Sequence, residues 1–159
     1  MRIRKATAAD SPRCAEVHTL ARQSMRYLPL LHAPAEVSAW MHDVVIARQC
    51  VWVAEIDGRI VGYTALGGGM LTNLYVEPGY QRRGVGTALL ARIKATVPGG
   101  FSLWTFQPNL EAIRFYERHG FRTVRETDGS ANEERVPDRL MHWQPENSPG
   151  RVGGESVEC

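Results

Sequence analysis

The stretch LYVEPGYQRRGVGTALLARIKA, Leu74 to Ala95, sets a strand-like run, a Pro-Gly turn, two arginines and two glycines directly ahead of an amphipathic helix. Gly84 and Gly86 lack side chains, so the turn can take conformations other residues resist and a ligand can approach the main chain closely. Directly after them Val85, Leu89, Leu90, Ile93 and Val97 recur on one apolar helical face with Lys94 opposite, so the helix starts at the glycines. First-turn amides have no intrahelical partner and carry the positive end of the helix dipole, an arrangement suited to phosphate or pyrophosphate. Arg82 and Arg83 add charge beside them. A Walker lysine and a GxGxxG pattern with a later acid are both missing, which disfavours a P-loop or dinucleotide fold. Read alone, the same residues also describe a helix start whose glycines serve packing and whose arginines serve solubility.

Working outward, CVWVAEIDGRIVGYTALGGG holds two β-branched and aromatic runs around Asp57-Gly58, the strongest hairpin signal in the chain. Strands are expected near 50–56 and 59–66, then a loop or bulge at Gly67 to Gly69, then a strand over MLTNLYVE. Upstream, RIRKA reads as a short strand. Asp10 or Ser11 can cap a helix with Pro12 in its first turn and with Cys14, Val17 and Ala21 on one face. AEVSAWMHDVVIA predicts a second helix, with Val37, Trp40, Met41 and Val44 at helical spacing. Downstream, FSLWTF is a buried strand candidate. NLEAIRFYERHG is a helix capped by Asn109 and stopped by Gly120, and FRTVRET and DRLMHW are final strands, the last of them a possible sheet edge. Strands and helices do not alternate strictly, which predicts a mixed sheet in an α/β or α+β layer.

The 159 residues, 43% hydrophobic and 23% charged, suit one globular domain over 1–144. The tail from 145 to 159, rich in Pro, Gly, Ser and Glu, is expected to be disordered. A formal charge of +2 is too balanced to point to nucleic acid or a membrane surface. No run approaches the about 18 apolar residues of a membrane span, and no apolar signal core opens the chain. Cys14, Cys50 and Cys159 are odd in number and widely spaced, which supports neither a disulfide framework nor a zinc site and suits a reducing cytoplasm. His18, His42, His119 and His142 show no metal-ligand spacing, so no metal is expected.

VEPGYQRRGVGTALL resembles the acetyl-coenzyme A signature of the GCN5-related N-acetyltransferase (GNAT) superfamily: Arg or Gln, two variable residues, Gly, one variable residue, then Gly or Ala. Gln81, Gly84 and Gly86 occupy those positions. NLEAIRFYERHGF, Asn109 to Phe121, resembles the family's second region, an Asn-led helix ending in aromatic-Tyr-Glu-x-x-Gly-Phe, and the two lie in the expected order. The resemblance implies a mixed, mostly antiparallel sheet of six to seven strands flanked by about four helices, the acyl-CoA N-acyltransferase fold. It further implies acetyl-CoA as co-substrate, with pyrophosphate on the backbone of Arg82, Arg83, Gly84, Val85, Gly86 and Thr87. By the same resemblance the pantetheine arm lies against Leu74, Tyr75 and Val76 and near Asn109, and Tyr116 protonates the departing thiolate. Asn109 is equally explained as a helix cap, and spacing alone makes Tyr116 a core aromatic beside Ala112 and Ile113.

A carboxylate or water chain must take the proton of an acceptor ammonium. The glutamate that does so in one branch of the family has no counterpart at Met70 to Thr72. Glu55, Glu77 and His32 are the remaining candidates. The resemblance assigns acceptor choice to Arg22–Trp40 and to late strands, leaving a small-molecule or peptide amine as partner and a monomer or homodimer as the state. Two other readings are a catalytically silent acyl-CoA sensor and nucleic-acid binding through the arginines, the latter disfavoured by charge balance.

Overall fold

A computed structural model describes residues 1–146 and Cys159. Seven strands form one sheet: β1 (Arg2–Lys5), β2 (Cys50–Ile56), β3 (Arg59–Gly67), β4 (Met70–Val76), β5 (Phe101–Phe106), β6 (Arg122–Thr127) and β7 (Asp138–Trp143), in the order β1-β2-β3-β4-β5-β7-β6. Every neighbouring pair is antiparallel except β4–β5. Four helices flank it: α1 (Ser11–Gln23), α2 (Pro34–Trp40), α3 (Val85–Thr96) and α4 (Leu110–Arg118).

Local chemistry explains the meander. Asp57 and Gly58 both have positive φ (51° and 73°), the two-residue turn whose twist matches paired strands. Gly68 and Gly69 repeat the device at 60° and 74°, so the expected loop is a tight hairpin and β3 runs on through Gly67. Alternation then divides β2 between two cores. Val51 and Val53 pack with Cys14 and Val17 of α1 and with Met41 and Val45, while Cys50 joins Leu90 and Ile93 of α3 and Ile113 and Tyr116 of α4 on the other face. The central strand β3 is covered on both faces and buried along nearly its whole length.

Several expectations change. The second helix passes at Met41 into a π-helical turn, Met41–Ile46, whose extra residue per turn carries Val45 rather than Val44 into full burial. Asp10 precedes α1, yet its carboxylate accepts the Thr7 amide at 2.7 Å and both Arg4 nitrogens at 2.8 and 2.9 Å, leaving no side-chain cap on that helix. DRLMHW is not an edge: β7 lies between β5 and β6, and β1 and β6 are the outer strands. Lys94 turns back over α4, donating to the His119 carbonyl at 2.5 Å and lying 4.6 Å from the Trp143 ring. Cys50 and Cys159 are joined as a disulfide, against the expectation of none, because the fold brings two residues 109 positions apart to a Cα separation of 5.4 Å. The tail expected to lack structure falls mainly on 147–158, outside the described residues. Among the described residues no helix is long and apolar enough to cross a membrane.

Candidate active site

The site begins where two parallel strands separate. β4 pairs with β5 only at Met70↔Ser102 and Leu71↔Leu103, whereas β4 continues beside β3 to Gly62↔Val76 and β5 beside β7 to Phe106↔Asp138. The register shift opposite Ala65 and Leu66 makes Thr72 an extra residue in β4, and a bulge of this kind bends and twists its strand. Beyond Leu71 the β5-facing edge of β4 therefore has no strand partner.

This open edge leads into the glycine turn. Gln81 Nε2 donates to the Val76 carbonyl at 3.2 Å, tying the turn to the strand end. Arg82 and Gly84 take positive φ, 61° and 80°, which reverses the chain so that α3 starts at Val85. Gly84 is the N-cap and no side chain caps the helix, so the first-turn amides keep their donors for another partner. Val85 turns its side chain into the core, so its contribution here is an amide. Arg82 reaches Glu111 at 3.1 and 3.2 Å with both side chains exposed, and Arg83 stacks 5.3 Å from the Tyr80 ring. His119 holds Phe115 O at 2.7 Å through Nδ1, which must therefore carry the proton, so Nε2 accepts the Thr87 hydroxyl at 3.3 Å.

A cavity of about 590 Å³ runs along these elements, lined by Leu74, Tyr75, Val76, Gln81, Arg82, Gly84, Gly86, Thr87, Asn109 and Tyr116 among others. Ten of the twelve residues singled out from the sequence thus share one cavity, and Arg83 and Val85 lie beside it. Asn109 caps α4, its side chain accepting the Ala112 amide at 3.2 Å, and it lines the cavity as well. Tyr116 packs 5.3 Å from both the Phe115 and Phe121 rings, and burial holds its phenol well above the ordinary tyrosine range. Its hydroxyl has no hydrogen-bond partner among the described residues, and Tyr116 is part of the cavity lining.

A second cavity, of about 730 Å³, lies across Tyr75, which borders both. Its walls are His18, Arg22, Leu30, Leu31, Val37, Trp40, Asn73, Trp104 and Phe106, and its carboxylates are Glu36, Glu133 and Glu134. Arg22 pairs with Glu134 at 2.8 Å and donates to the Tyr75 hydroxyl at 3.2 Å. His32 bridges Glu36 at 3.1 Å and Glu133 at 2.6 Å, contacts that raise its pKa. Of the three proton-acceptor candidates only His32 is at the site. Glu55 is bound to Arg4 and Glu77 to Arg13 and Arg59, and neither lines either of the two cavities.

The sequence reading missed Trp104, Glu133 and Glu134 as site residues. The two glutamates sit in DGSANEERVP, which has no periodicity, and only the β7–β6 pairing brings that loop over α1. Trp104 has one signal: in FSLWTF its neighbours Leu103 and Thr105 are buried while it is 45% exposed, an outward aromatic on a strand otherwise shared with the core.

The acetyltransferase (GNAT) domain model matches residues 47–123, spanning β2 through the start of β6. Among characterised relatives, the peptidyl-lysine N-acetyltransferase YiaC of Escherichia coli is 32% identical over 104 residues, covering 65% of this chain and 69% of its own. YafP of Escherichia coli, an uncharacterized N-acetyltransferase, is 30% identical over 122 residues, 73% of this chain and 79% of its own. Among solved structures, yncA of Salmonella typhimurium, determined with its cofactor acetyl-CoA, superposes with a TM-score of 0.73 at 21% identity over 96% of this chain and 99% of that one. A GCN5-related N-acetyltransferase from Rhodopseudomonas palustris gives 0.75 at 18% identity, covering 91% and 95%. With the parted strands, the uncapped glycine helix and these relatives together, the chain belongs to the GNAT family of N-acetyltransferases.

Proposed function

We propose that this protein transfers the acetyl group of acetyl-CoA to a primary amine by direct attack on the thioester, the two substrates entering from opposite sides of Tyr75. The observation that carries the reading is the continuity of the 590 Å³ cavity from the unpaired edge of β4 to the uncapped first turn of α3. Amides of that turn, with Arg82, take the pyrophosphate once Arg82 leaves Glu111. Main-chain groups of Leu74, Tyr75 and Val76 take the amide-bearing arm as an added strand would, and a strand amide polarises the thioester carbonyl without reorganisation.

The neutral amine nitrogen attacks the carbonyl carbon, the C–S bond breaks, the sulfur takes a proton from Tyr116, and the proton that the nitrogen then loses as the amide forms restores the Tyr116 phenol through water. Burial keeps the phenol protonated, so the proton is in place when the thiolate leaves, and because burial also weakens the acid the transfer is coupled to its reprotonation. The ammonium proton leaves through water toward the mouth of the 730 Å³ cavity, where Glu36 and Glu133 stand.

Calorimetry with acetyl-CoA, followed by thiol release over an amine panel that includes a lysine-containing peptide, tests the reading. Tyr116→Phe is expected to lower kcat about 100-fold with the acetyl-CoA affinity within about threefold. Absence of acetyl-CoA binding overturns the proposal; tight binding without turnover on any amine replaces it with the sensor.

A further inference from the structure

Among the polar groups lining the 730 Å³ cavity, His18 is held from behind by a buried hydroxyl. His18 of α1 is 8% exposed, held between Trp40 (ring centroids 5.1 Å) and Tyr75 (4.8 Å, edge-on), and its Nδ1 lies 2.8 Å from the hydroxyl of Tyr63. Tyr63 is fully buried in β3, and His18 is its hydroxyl's only partner among the described residues.

That pairing decides which ring nitrogen carries the proton. If Nδ1–H donated to Tyr63, the Tyr63 O–H would be left without an acceptor in the core, a loss of about 1–3 kcal/mol. If Tyr63 donates to Nδ1, both groups are satisfied and the proton sits on Nε2. Burial and the nearby Arg22 guanidinium push the imidazole down to about 3, so the ring is neutral, and burial raises the Tyr63 phenol, so it stays a donor. His18 Nε2 has no hydrogen-bond partner among the described residues, and His18 is part of the cavity lining, so its N–H is the group left to meet a bound molecule.

We propose that the Nε2–H of His18, fixed by Tyr63, is a specificity donor of the acceptor cavity, selecting amines that carry a hydrogen-bond-accepting oxygen, such as a carboxamide carbonyl, on an apolar, aromatic-sized body. Leu30, Trp40, Trp104 and Phe106 supply the apolar walls for that body. A buried donor discriminates because an analogue without the oxygen leaves the N–H unpaired when it displaces water. His18 does not serve as the proton acceptor of the reaction, since its only solvent-facing nitrogen already bears hydrogen. The substrate assignment rests on the acetyltransferase reading; the tautomer does not.

Long-range ¹H–¹⁵N spectra of histidine-labelled protein test the tautomer. The expected pattern for His18 is Nε2–H with no titration between about pH 5 and 9; an Nδ1–H pattern or an imidazolium overturns the inference whatever the enzyme does. Phenylalaninamide and 2-phenylethylamine share a body and differ in the carboxamide, and their intrinsic reactivities cancel when each kcat/KM ratio is divided by that of a variant. The wild-type preference for phenylalaninamide is expected to fall at least tenfold in His18→Phe, chiefly through KM; an unchanged ratio overturns the inference. If that variant does not fold, Tyr63→Phe frees the tautomer and is expected to lower both the Nε2–H population and the preference. If neither amine is turned over, the acetyltransferase reading is decided by the wider amine panel and the present inference by binding alone. Phenylalaninamide must then still shift the His18 Nε2 resonance while 2-phenylethylamine does not, and no shift with either overturns the inference.

Discussion

Arg22 and Glu134, 112 residues apart, meet at 2.8 Å and join α1 to the loop between β6 and β7 across one wall of the 730 Å³ cavity. Both side chains are less than one-fifth exposed, so removing one partner leaves the other partly desolvated and unpaired. Glu134→Gln is expected to destabilise the protein by about 1–3 kcal/mol in chemical denaturation. Because Arg22 also donates to the Tyr75 hydroxyl, the variant should raise the acceptor KM while leaving the acetyl-CoA affinity unchanged.

Gly84 and Gly86 should answer differently to the same substitution. A Cβ at Gly84 meets no atom within 4 Å, but φ of +80° is strained for any L-residue, so Gly84→Ala should cost about 1 kcal/mol and weaken acetyl-CoA binding about tenfold as the turn relaxes. At Gly86 a Cβ meets the Phe115 ring at 3.4 Å, an ordinary contact, in a helical conformation. Gly86→Ala should leave stability within about 0.5 kcal/mol and affinity within about threefold. Parallel melts and calorimetry on the two variants separate conformational from steric effects.

Asp10 makes acid stability measurable at one residue. Hydrogen bonds from Arg4 lower its pKa from 3.8 to about 2. A depressed carboxylate pKa means the folded state holds the charged form more tightly than the unfolded one. Its contribution is therefore complete above about pH 4 and is lost as pH falls toward 2. Solvent screening at this surface pair reduces the contribution to about 1 kcal/mol. Asp10→Asn should be less stable at neutral pH by about that amount and show a flatter stability curve between about pH 4 and 2.

The Cys50–Cys159 crosslink closes a loop spanning 109 positions, which restricts the unfolded chain. Peptide mapping without reductant should recover the two cysteines in one crosslinked pair, with the buried Cys14 free. Cys159→Ser should lower stability by about 2–4 kcal/mol; recovery of Cys50 as a free thiol in air-oxidised protein would refute the assignment.

Much of what neighbouring residues predict is realised, although Asp10 gives α1 no side-chain cap. The Asp57-Gly58 turn, the start of α3 at the glycines, the Asn109 cap and the Gly120 stop all depend on conformational preferences confined to a few positions, and the structure realises each one. The proposed cofactor side was legible for the same reason, since its strand end, turn and helix start form one continuous stretch whose proposed ligand groups are main-chain amides. Val45 in place of Val44 marks the limit of that reading, because a single π turn shifts a face that periodicity had assigned.

Sequence alone settled that there is a glycine-led helix start after a strand, that the pattern resembles acetyl-CoA binders, and which strands and helices exist. Tertiary structure alone decided where β4 leaves β5, that β7 is interior, that Glu55 and Glu77 are engaged elsewhere, and that His18, Trp104, Glu133 and Glu134 face one cavity. The physical reason is distance along the chain. A turn or cap is chosen by interactions within a few residues, whereas the 730 Å³ cavity is assembled from α1, α2, β4, β5 and the β6–β7 loop, whose meeting is imposed by sheet order and leaves no local pattern in any of them.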